Sequence, residues 1–224
     1  MKVVDVEQGS AAWFRARSRI VTASELGNIL TTEAKPRKRD SEMVRSYLAR
    51  KVAEAWLGEP IGAYSSPAME QGSILEREAL PWYALTYDVE VKRPGLFVHD
   101  DGNIGASPDG WMENGTGLEI KCPLPHTHVR WLIDGVVPEE HLLQCEAGMY
   151  VTGAPHWTFV SYCRNFPALV VKVERDEDRM TIIDMVAEDF AVRFHAAMSL
   201  LERMDNGARA ARLAQEAKES EHPF

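Results

Sequence analysis

The sequence lacks any long hydrophobic run: none of its apolar stretches approaches the ~18 residues that a membrane-spanning helix requires. It also lacks the features of a secretory signal peptide, because Asp5 and Glu7 place acidic residues within the opening MKVVDVEQGS. We therefore expect a cytoplasmic protein. At 224 residues, 45% hydrophobic and 26% charged, the chain is long enough for one large α/β domain or two small ones.

Cysteine is scarce as well. Cys122, Cys145 and Cys163 are far apart and odd in number, which argues against a disulfide framework and against a four-cysteine zinc or iron–sulfur site. We expect them to be reduced, packed thiols. His126 and His128 form a close pair, but no third ligand is spaced nearby, so a zinc site is disfavoured.

Positive charge is in deficit overall but is unevenly distributed. The net charge of −9 taken alone disfavours a non-specific nucleic-acid binder. Residues 1–60, however, hold 11 Lys and Arg against 8 Asp and Glu, whereas residues 61–224 hold 14 against 26. The basic excess peaks at Lys35–Arg39, KPRKR, which by itself indicates a solvated loop. The acidic excess elsewhere fits a protein that binds divalent cations as well as one that avoids phosphate.

The order of predicted elements is that of an α/β fold with a mixed central β-sheet flanked by helices. Ser41 is predicted to cap a helix that Gly58 ends. We expect one domain over 1–204, followed by a polar tail over 205–224. The sequence predicts helices over about 9–17, 23–30, 42–57, 68–87 and 138–151, and apolar periodicity predicts a further one over 177–204. Short β-compatible runs occur in VEVKRPGLFVHD, NIGASPDGWM, GLEIKCP, WTFVSYC and ALVVKVERD.

The stretch GLEIKCP combines an apolar strand with two opposite charges. Successive side chains of a strand point to opposite faces, so Leu118 and Ile120 are predicted to enter the core while Glu119 and Lys121 project together from the other face. A solvated salt bridge would account for that charged pair, although such pairs contribute little to stability.

A predicted hairpin brings a second carboxylate to the same region, because NGTG turns the chain so that Asp109 of ASPDG returns towards Glu119. Burying two acids together costs several kcal/mol unless positive charge compensates, and one lysine cannot balance both. Carboxylate oxygens suit Mg²⁺ or Mn²⁺. Lys121 would then position or help deprotonate a water, or stabilise charge on a transferring phosphate. The constellation predicts metal-assisted phosphodiester hydrolysis.

Two sequence motifs that include or precede this constellation resemble those of a known nuclease family. SPDG followed by LEIKCP resembles the core motif of the PD-(D/E)xK nucleases, which implies a restriction-endonuclease-like core. EQGSAAWFRARSRIVTASELGNIL, residues 7–30, resembles the opening motif of the phage recombination branch, the lambda exonuclease-type or YqaJ-like viral recombinases. The similarity extends from about residue 7 to about residue 200, and it is weaker over 31–68 and after residue 124.

The resemblance implies a 5′→3′ exonuclease on double-stranded DNA ends, which degrades one strand to mononucleotides and leaves a 3′ single strand for annealing. It further implies Mg²⁺ as cofactor, with Mn²⁺ as a substitute and two ions per active site. A ring-shaped homotrimer around the DNA and a single-strand annealing protein as partner follow from the same resemblance. So does a phage or prophage origin, with the protein working in the cytoplasm of a bacterial host.

Residue by residue, the resemblance implies a catalytic centre. Asp109 and Glu119 match the family's metal-binding acids, the backbone carbonyl of Ile120 matches a further metal ligand, and Lys121 matches the catalytic lysine. Glu76 falls where the family has an additional active-site and metal-binding acid, although SILE also fits a helix capping box.

It also implies DNA-binding positions. Arg17, Ser24 and Ser107 match the family's pocket for the 5′-terminal phosphate, for which arginine offers a bidentate fork. Ser24 is equally an N-cap by its sequence context. Met69 matches an apolar wedge that splays the terminal base pair, and a core methionine is the alternative. Gln144 matches a catalytic glutamine near the attacking water, and by itself it is an ordinary helix glutamine.

Two other functions remain open on the same core. A sequence-specific restriction-type endonuclease would need a recognition element, and the sequence has no evident inserted domain. A non-catalytic DNA-binding recombination scaffold would have no need to keep Asp109, Glu119 and Lys121 together, so the intact set weighs against it.

Overall fold

Two mixed β-sheets flanked by helices form the fold. The structure, a computed structural model, describes residues 1–62 and 67–221, without the side chains of residues 67–70, 73 and 208–221. The α/β class predicted from the order of elements is confirmed, with two sheets in place of the single central sheet that the sequence predicts.

The first sheet brings two loops of the molecule together. Its outer strand β2 runs parallel to β5, with Thr22 opposite Gly105, so the chain leaves both strands at the same edge. The residues that follow, Ser24 and Ser107, therefore lie near each other despite their distance in sequence. In spatial order the sheet consists of β1 (Lys2–Val4), β4 (Leu96–Val98), β5 (Ile104–Ala106) and β2 (Val21–Thr22).

The second sheet carries GLEIKCP on its central strand. This strand, β7, pairs antiparallel with β6 and parallel with β8. A parallel connection needs a crossover, and two helices between β7 and β8 supply it. In spatial order the sheet consists of β3 (Val91–Lys92), β6 (Gly110–Met112), β7 (Gly117–Lys121), β8 (His156–Ser161) and β9 (Leu169–Glu174).

The helices follow the predicted pattern except at a few places. Ser41 caps the second helix by accepting a hydrogen bond from the Val44 N–H, and Gly58 ends it with a φ of 74°. Both end signals are therefore confirmed. The helices are α1 (Ala11–Ser18), α2 (Glu42–Leu57), α3 (Pro67–Tyr87), α4 (Pro125–Asp134), α5 (Glu139–Thr152) and α6 (Glu177–Glu221), with a 3-10 helix over Ala23–Asn28.

Three differences from the predicted elements matter. The sequence pattern does not predict β1, β2 or α4. The segment over 23–30 forms a 3-10 helix of six residues instead of an α-helix. Helix α6 continues to Glu221, so the described part of the predicted polar tail is helical. None of the helices in the described part of the chain is long and apolar enough to cross a membrane.

Strand β7 is fixed in place by packing on both faces. Leu118 and Ile120 are fully buried in an apolar cluster with Ala79 and Tyr83 of α3, as the alternation predicts. Full burial of such side chains stabilises the fold by about 1.5–3 kcal/mol each. Gly117 is required at the start of the strand, because a Cβ there would lie 2.2 Å from the buried ring of Trp157.

Candidate active site

Asp109 is attached to strand β7 by two hydrogen bonds. Its backbone N–H donates to the Leu118 carbonyl (3.1 Å), and its Oδ2 accepts from the Ile120 N–H (2.7 Å). The hairpin therefore brings this carboxylate to the strand that carries Glu119, as the sequence predicts.

The same contact shows where the Ile120 carbonyl points. Within a strand, the N–H and C=O of one residue point to the same side, and neighbouring residues alternate. The Lys121 carbonyl is turned to β8, where it accepts from the Tyr162 N–H (2.9 Å). The Ile120 carbonyl is thus on the opposite side of β7, with Asp109.

Glu119 and Lys121 form an ion pair on one face of β7, as the alternation predicts. The side chain of Glu119 is 3% exposed and that of Lys121 is 25% exposed, so Glu119 is shielded from solvent while Lys121 remains partly accessible. This burial excludes the solvated salt bridge as an explanation of the motif.

Glu76 belongs to the same cluster. Burial raises its pKa, and the charge of Asp109 raises it further, whereas Lys121 and Arg93 lower it. Helix α3 passes the end of β7 at contact distance. The capping-box alternative for Glu76 is wrong, because α3 begins at Pro67 and the SILE segment lies inside the helix.

Negative charge exceeds positive charge in this cluster. Burial raises the pKa of Glu119 and outweighs the lowering effect of Lys121, and burial likewise raises the pKa of Asp109. Carboxylate and carbonyl oxygens are the ligands that a hard divalent cation prefers, and such a cation would offset the excess charge. In residues 1–62 and 67–221, no three His, Cys, Asp or Glu side chains stand already grouped as a metal site. Glu119 instead contacts Lys121, and Asp109 contacts the Ile120 N–H.

Helix α5 presents Gln144 on the side that faces the cluster. His141, Gln144 and Cys145 share one helical face by their spacing. Burial and then the charge of Lys121 lower the pKa of His141 to about 4, and burial and then the charge of Glu119 raise the pKa of Cys145. The His141 ring also stacks on Phe159 of β8, which lies opposite Glu119 in the sheet, so this face of α5 packs on the side of the sheet that carries the Glu119–Lys121 pair.

A second group of polar side chains forms around Trp13. Arg17 Nη2 donates to Ser24 Oγ (3.2 Å), and the guanidinium lies 3.9 Å from the centre of the Trp13 ring. Trp13 Nε1 donates to Ser107 Oγ (2.9 Å). The structure thus brings together Arg17, Ser24 and Ser107, which are far apart in sequence, and Ser24 is exposed to solvent. We call this group the Arg17 pocket.

One sequence interpretation changes at this pocket, and another is left untested. Ser24 is the second residue of its 3-10 helix and Thr22 precedes the helix, so the N-cap interpretation of Ser24 is wrong. The Ser24 hydroxyl contacts Arg17 instead. The side chain of Met69 lies outside the described residues, so its role as a wedge stays a prediction.

The histidine pair has a structural role at His128. This residue is fully buried, with Nδ1 2.7 Å from Ser161 Oγ and Nε2 2.9 Å from the Pro167 carbonyl oxygen. A ring whose two nitrogens are both occupied in this way ties α4 to the second sheet and has no free position for zinc.

Sequence reasoning does not find Gln8 or Arg93. Gln8 Nε2 donates to the Pro94 (2.7 Å) and Pro108 (3.0 Å) carbonyls, which joins the turn before Asp109 to the loop that carries Arg93. The charge of Arg93 acts on both Glu76 and Asp109. Gln8 lies in the opening motif over residues 7–30, but the motif does not indicate its contacts, and Arg93 stands in no motif, so the fold reveals both roles.

Buried polar residues beneath the Arg17 pocket are also missed. Lys51 is 2% exposed and donates to the Arg17 carbonyl oxygen (2.7 Å). A sequence signal existed, because Lys51 lies on the face of α2 that buries Val44 and Tyr47. A lysine on an apolar helix face indicates a buried partner, but not which one.

Comparison with known proteins found a family model and several solved structures that match this chain. A family model described as the YqaJ-like viral recombinase domain matches residues 12–155. The crystal structure of an alkaline exonuclease, LHK-Exo, from Laribacter hongkongensis is 28% identical, with a TM-score of 0.77 over 91% of this chain and 100% of that one. Its complex with dAMP matches equally. A phage-related exonuclease from Haemophilus somnus 129PT shares the fold at 13% identity, with a TM-score of 0.63 over 83% of this chain and 96% of that one. No curated protein matches the sequence.

Proposed function

Because this chain belongs to the YqaJ-like viral recombinase family, we propose that it is a metal-dependent 5′→3′ exonuclease on the ends of double-stranded DNA. It has the restriction-endonuclease-like PD-(D/E)xK fold predicted from its motifs. One observation carries the proposal: the buried cluster around Asp109 is joined to the Arg17 pocket through Ser107, two residues earlier in the chain. A site for a cation and a site for an anion are thus directly adjacent.

In the catalytic cluster, Asp109, Glu119, Glu76 and the Ile120 carbonyl would hold Mg²⁺, with Mn²⁺ as a substitute and two ions per site. Bound metal supplies Lewis acidity and lowers the pKa of a coordinated water. The excess of buried carboxylates over cations is the feature of the site that fits such a metal.

Lys121 and Gln144 act on the water and on the scissile phosphate. Lys121 is 25% exposed, so its ammonium group can reach a bound substrate while it remains paired with Glu119. There it stabilises negative charge that develops on the phosphate, or takes part in proton transfer to and from the water. Gln144 orients the attacking water from α5.

The Arg17 pocket sets the polarity of degradation. Arg17 offers a charged donor to the 5′-terminal phosphate, and the hydroxyls of Ser24 and Ser107 add neutral donors. A terminal phosphate held there leaves the next phosphodiester bond at the catalytic cluster, and cleavage releases one nucleotide and exposes a new 5′-phosphate. Met69 completes the arrangement as the wedge at the terminal base pair.

We further propose that three copies of the chain form a ring around DNA in the cytoplasm of a bacterial host. A subunit with a net charge of −9 has little basic surface with which to hold a duplex, and a ring restrains DNA topologically. The resulting 3′ single strand is the substrate of an annealing protein. Light scattering should give three times the 25.2 kDa mass of the chain. A monomeric mass at micromolar concentration would exclude the ring.

The decisive experiment uses linear duplexes labelled at either end, with and without Mg²⁺. We expect Mg²⁺-dependent release of mononucleotides from the 5′ ends only. Cleavage of closed circular DNA would identify a restriction-type endonuclease instead. Binding to DNA ends without release of acid-soluble nucleotides, in the presence of either metal, would identify a recombination scaffold.

A further inference from the structure

A network of ionic groups, of which Lys51 and Glu54 are buried and the others are partly exposed, lies directly beneath the Arg17 pocket. It connects the end of α1, the 3-10 helix and one face of α2. Its charged members are three cations and two carboxylates: Arg17, Arg50, Lys51, Glu25 and Glu54. None of these groups other than Arg17 belongs to the proposed catalytic or phosphate-binding machinery, so the network needs its own explanation.

Lys51 holds the backbone of Arg17. Its Nζ donates to the Arg17 carbonyl oxygen (2.7 Å) and lies 3.4 Å from Glu25 Oε2. The side chain is 2% exposed, so it does not reach a ligand itself. A positive charge at the C-terminal end of α1 is favourable, yet burial of a lysine is costly and an apolar residue would pack the same helix face without that cost.

Glu25 holds the side chain of Arg17 through Thr22. The Thr22 hydroxyl donates to Glu25 Oε2 (2.8 Å), which fixes the direction of its proton. The lone pairs of Thr22 Oγ1 are then turned to Arg17 Nη2 (3.4 Å) and to Ser24 Oγ (3.4 Å). Thr22 is 1% exposed, so it too is shielded from a ligand.

Glu25 is itself held from α2. Arg50 donates to its Oε1 (2.8 Å), and the Tyr47 hydroxyl donates to its Oε2 (3.4 Å). A lone carboxylate this close to a phosphate pocket would repel the phosphate. Because cations outnumber carboxylates in the network, its net charge of +1 favours an anion above it.

From these contacts we infer that Lys51 and Glu25, the latter acting through Thr22, are positioning residues that hold Arg17 in the orientation required for the 5′-terminal phosphate. This inference rests on the proposed function of the Arg17 pocket. Lys51 fixes the position of the Arg17 backbone, and Thr22 fixes the position of the Arg17 guanidinium. Small errors in placement cost large factors in rate when a substrate must be held for reaction.

The test measures discrimination between two DNA ends. Lys51→Met removes the ammonium group at similar length, and Thr22→Val removes the hydroxyl at similar volume. For each variant, kcat/KM is measured on matched duplexes with a 5′-phosphate and with a 5′-hydroxyl. We expect the ratio of the two values to fall on the order of tenfold, with the rate on the hydroxyl end near wild type. A structural role would lower both rates together and leave the ratio unchanged.

Two further variants serve as controls. Thr22→Ser keeps the hydroxyl and should restore the wild-type ratio. Arg179→Met removes a partly buried cation with the same kinds of contact, to a backbone carbonyl (Thr32, 3.0 Å) and to a glutamate (Glu146, 2.7 Å), in a different part of the molecule. Its ratio should equal that of wild type even if its stability falls.

The outcomes separate this inference from the pocket itself. Equal wild-type rates on the two ends would overturn the pocket and the inference together. A wild-type preference for the phosphate that persists in both Lys51→Met and Thr22→Val would overturn the inference alone. An equal fall of the ratio in Arg179→Met would also overturn the inference, since it would show that destabilisation anywhere in the protein lowers the preference for the phosphate.

Discussion

The catalytic cluster and the network beneath the Arg17 pocket both hold ionisable groups away from solvent, but the pKa values of Glu119 and Glu25 shift in opposite directions. Burial raises the pKa of Glu119, and a single lysine cannot reverse that effect. Burial alone would also raise the pKa of Glu25, yet Lys51, Arg50 and Thr22 together hold it below its ordinary value. The number of cations around each carboxylate makes the difference.

This difference indicates what each region binds. The catalytic cluster has carboxylates without enough counter-charge, so the proposed function assigns it a cation. The Arg17 network already balances its carboxylates and carries one further positive charge, so the proposed function assigns it an anion. A DNA end bound with metal ions offers both, and only Pro108 separates Ser107 of one region from Asp109 of the other.

The largest expected effect comes from removal of the carboxylates. Asp109→Ala or Glu119→Ala should each reduce hydrolysis by several orders of magnitude, because a lost metal ligand removes the activated water and the Lewis acid together. The release of acid-soluble nucleotides from linear duplex DNA measures this loss.

Thermal unfolding in the presence of a chelator provides the control for these two variants. Each should be as stable as wild type or more stable, since each relieves repulsion in the metal-free cluster. A folded variant that retained substantial activity would contradict the metal assignment and the contrast between the two regions.

Removal of the one lysine of the cluster should have the next largest effect. Lys121→Ala is expected to slow the chemical step by about 10²–10⁴-fold, the usual contribution of a positioned acid, base or charge stabiliser. Single-turnover cleavage isolates that step, and binding of the DNA end should remain close to wild type. A wild-type single-turnover rate would restrict Lys121 to a structural role as the counter-ion of Glu119.

On the anion side, Arg17→Ala should remove most of the preference for phosphorylated ends. A charge-assisted contact contributes about 1.5–3 kcal/mol, which corresponds to about 10- to 150-fold in rate. Cleavage of a bound end should persist because Asp109 and Glu119 are intact. Initial rates on matched phosphorylated and hydroxyl-ended duplexes measure the preference. An unchanged preference in the variant would move the role to Lys35–Arg39.

The catalytic cluster was more predictable from sequence than the network. The alternation in GLEIKCP is local, so it predicts the buried faces of Leu118 and Ile120 and the shared face of Glu119 and Lys121. A hairpin of a few residues then suffices to add Asp109. The network instead depends on contacts such as that of Lys51 with Arg17, 34 residues apart, which no local pattern specifies.

The missed elements have similar physical reasons. Strands β1 and β2 have three and two residues, too few for a period to appear. Helix α4 begins at Pro125, two residues after Pro123, and paired prolines predict a loop as readily as a helix start. The 3-10 helix over Ala23–Asn28 has helical composition, but it is a short segment that packs mainly against α5 and has the tighter geometry of three residues per turn.

The smallest expected effect concerns the acid stability of the network. The pKa of Glu25 is lower in the folded protein than in the unfolded chain, so the unfolded state binds more protons as the pH falls below the ordinary range of a glutamate. The stability that ionised Glu25 contributes is therefore complete above that range and is lost as the pH falls through the lowered folded-state pKa.

Glu25→Gln should reduce the free energy of unfolding by about 1–3 kcal/mol at pH 7, and by progressively less towards pH 3. Urea unfolding at both pH values measures this difference, and Glu59→Gln makes the same charge change at an exposed residue as a control. A loss in Glu25→Gln that was equal at both pH values would show that packing, and not charge balance, distinguishes this network from the catalytic cluster.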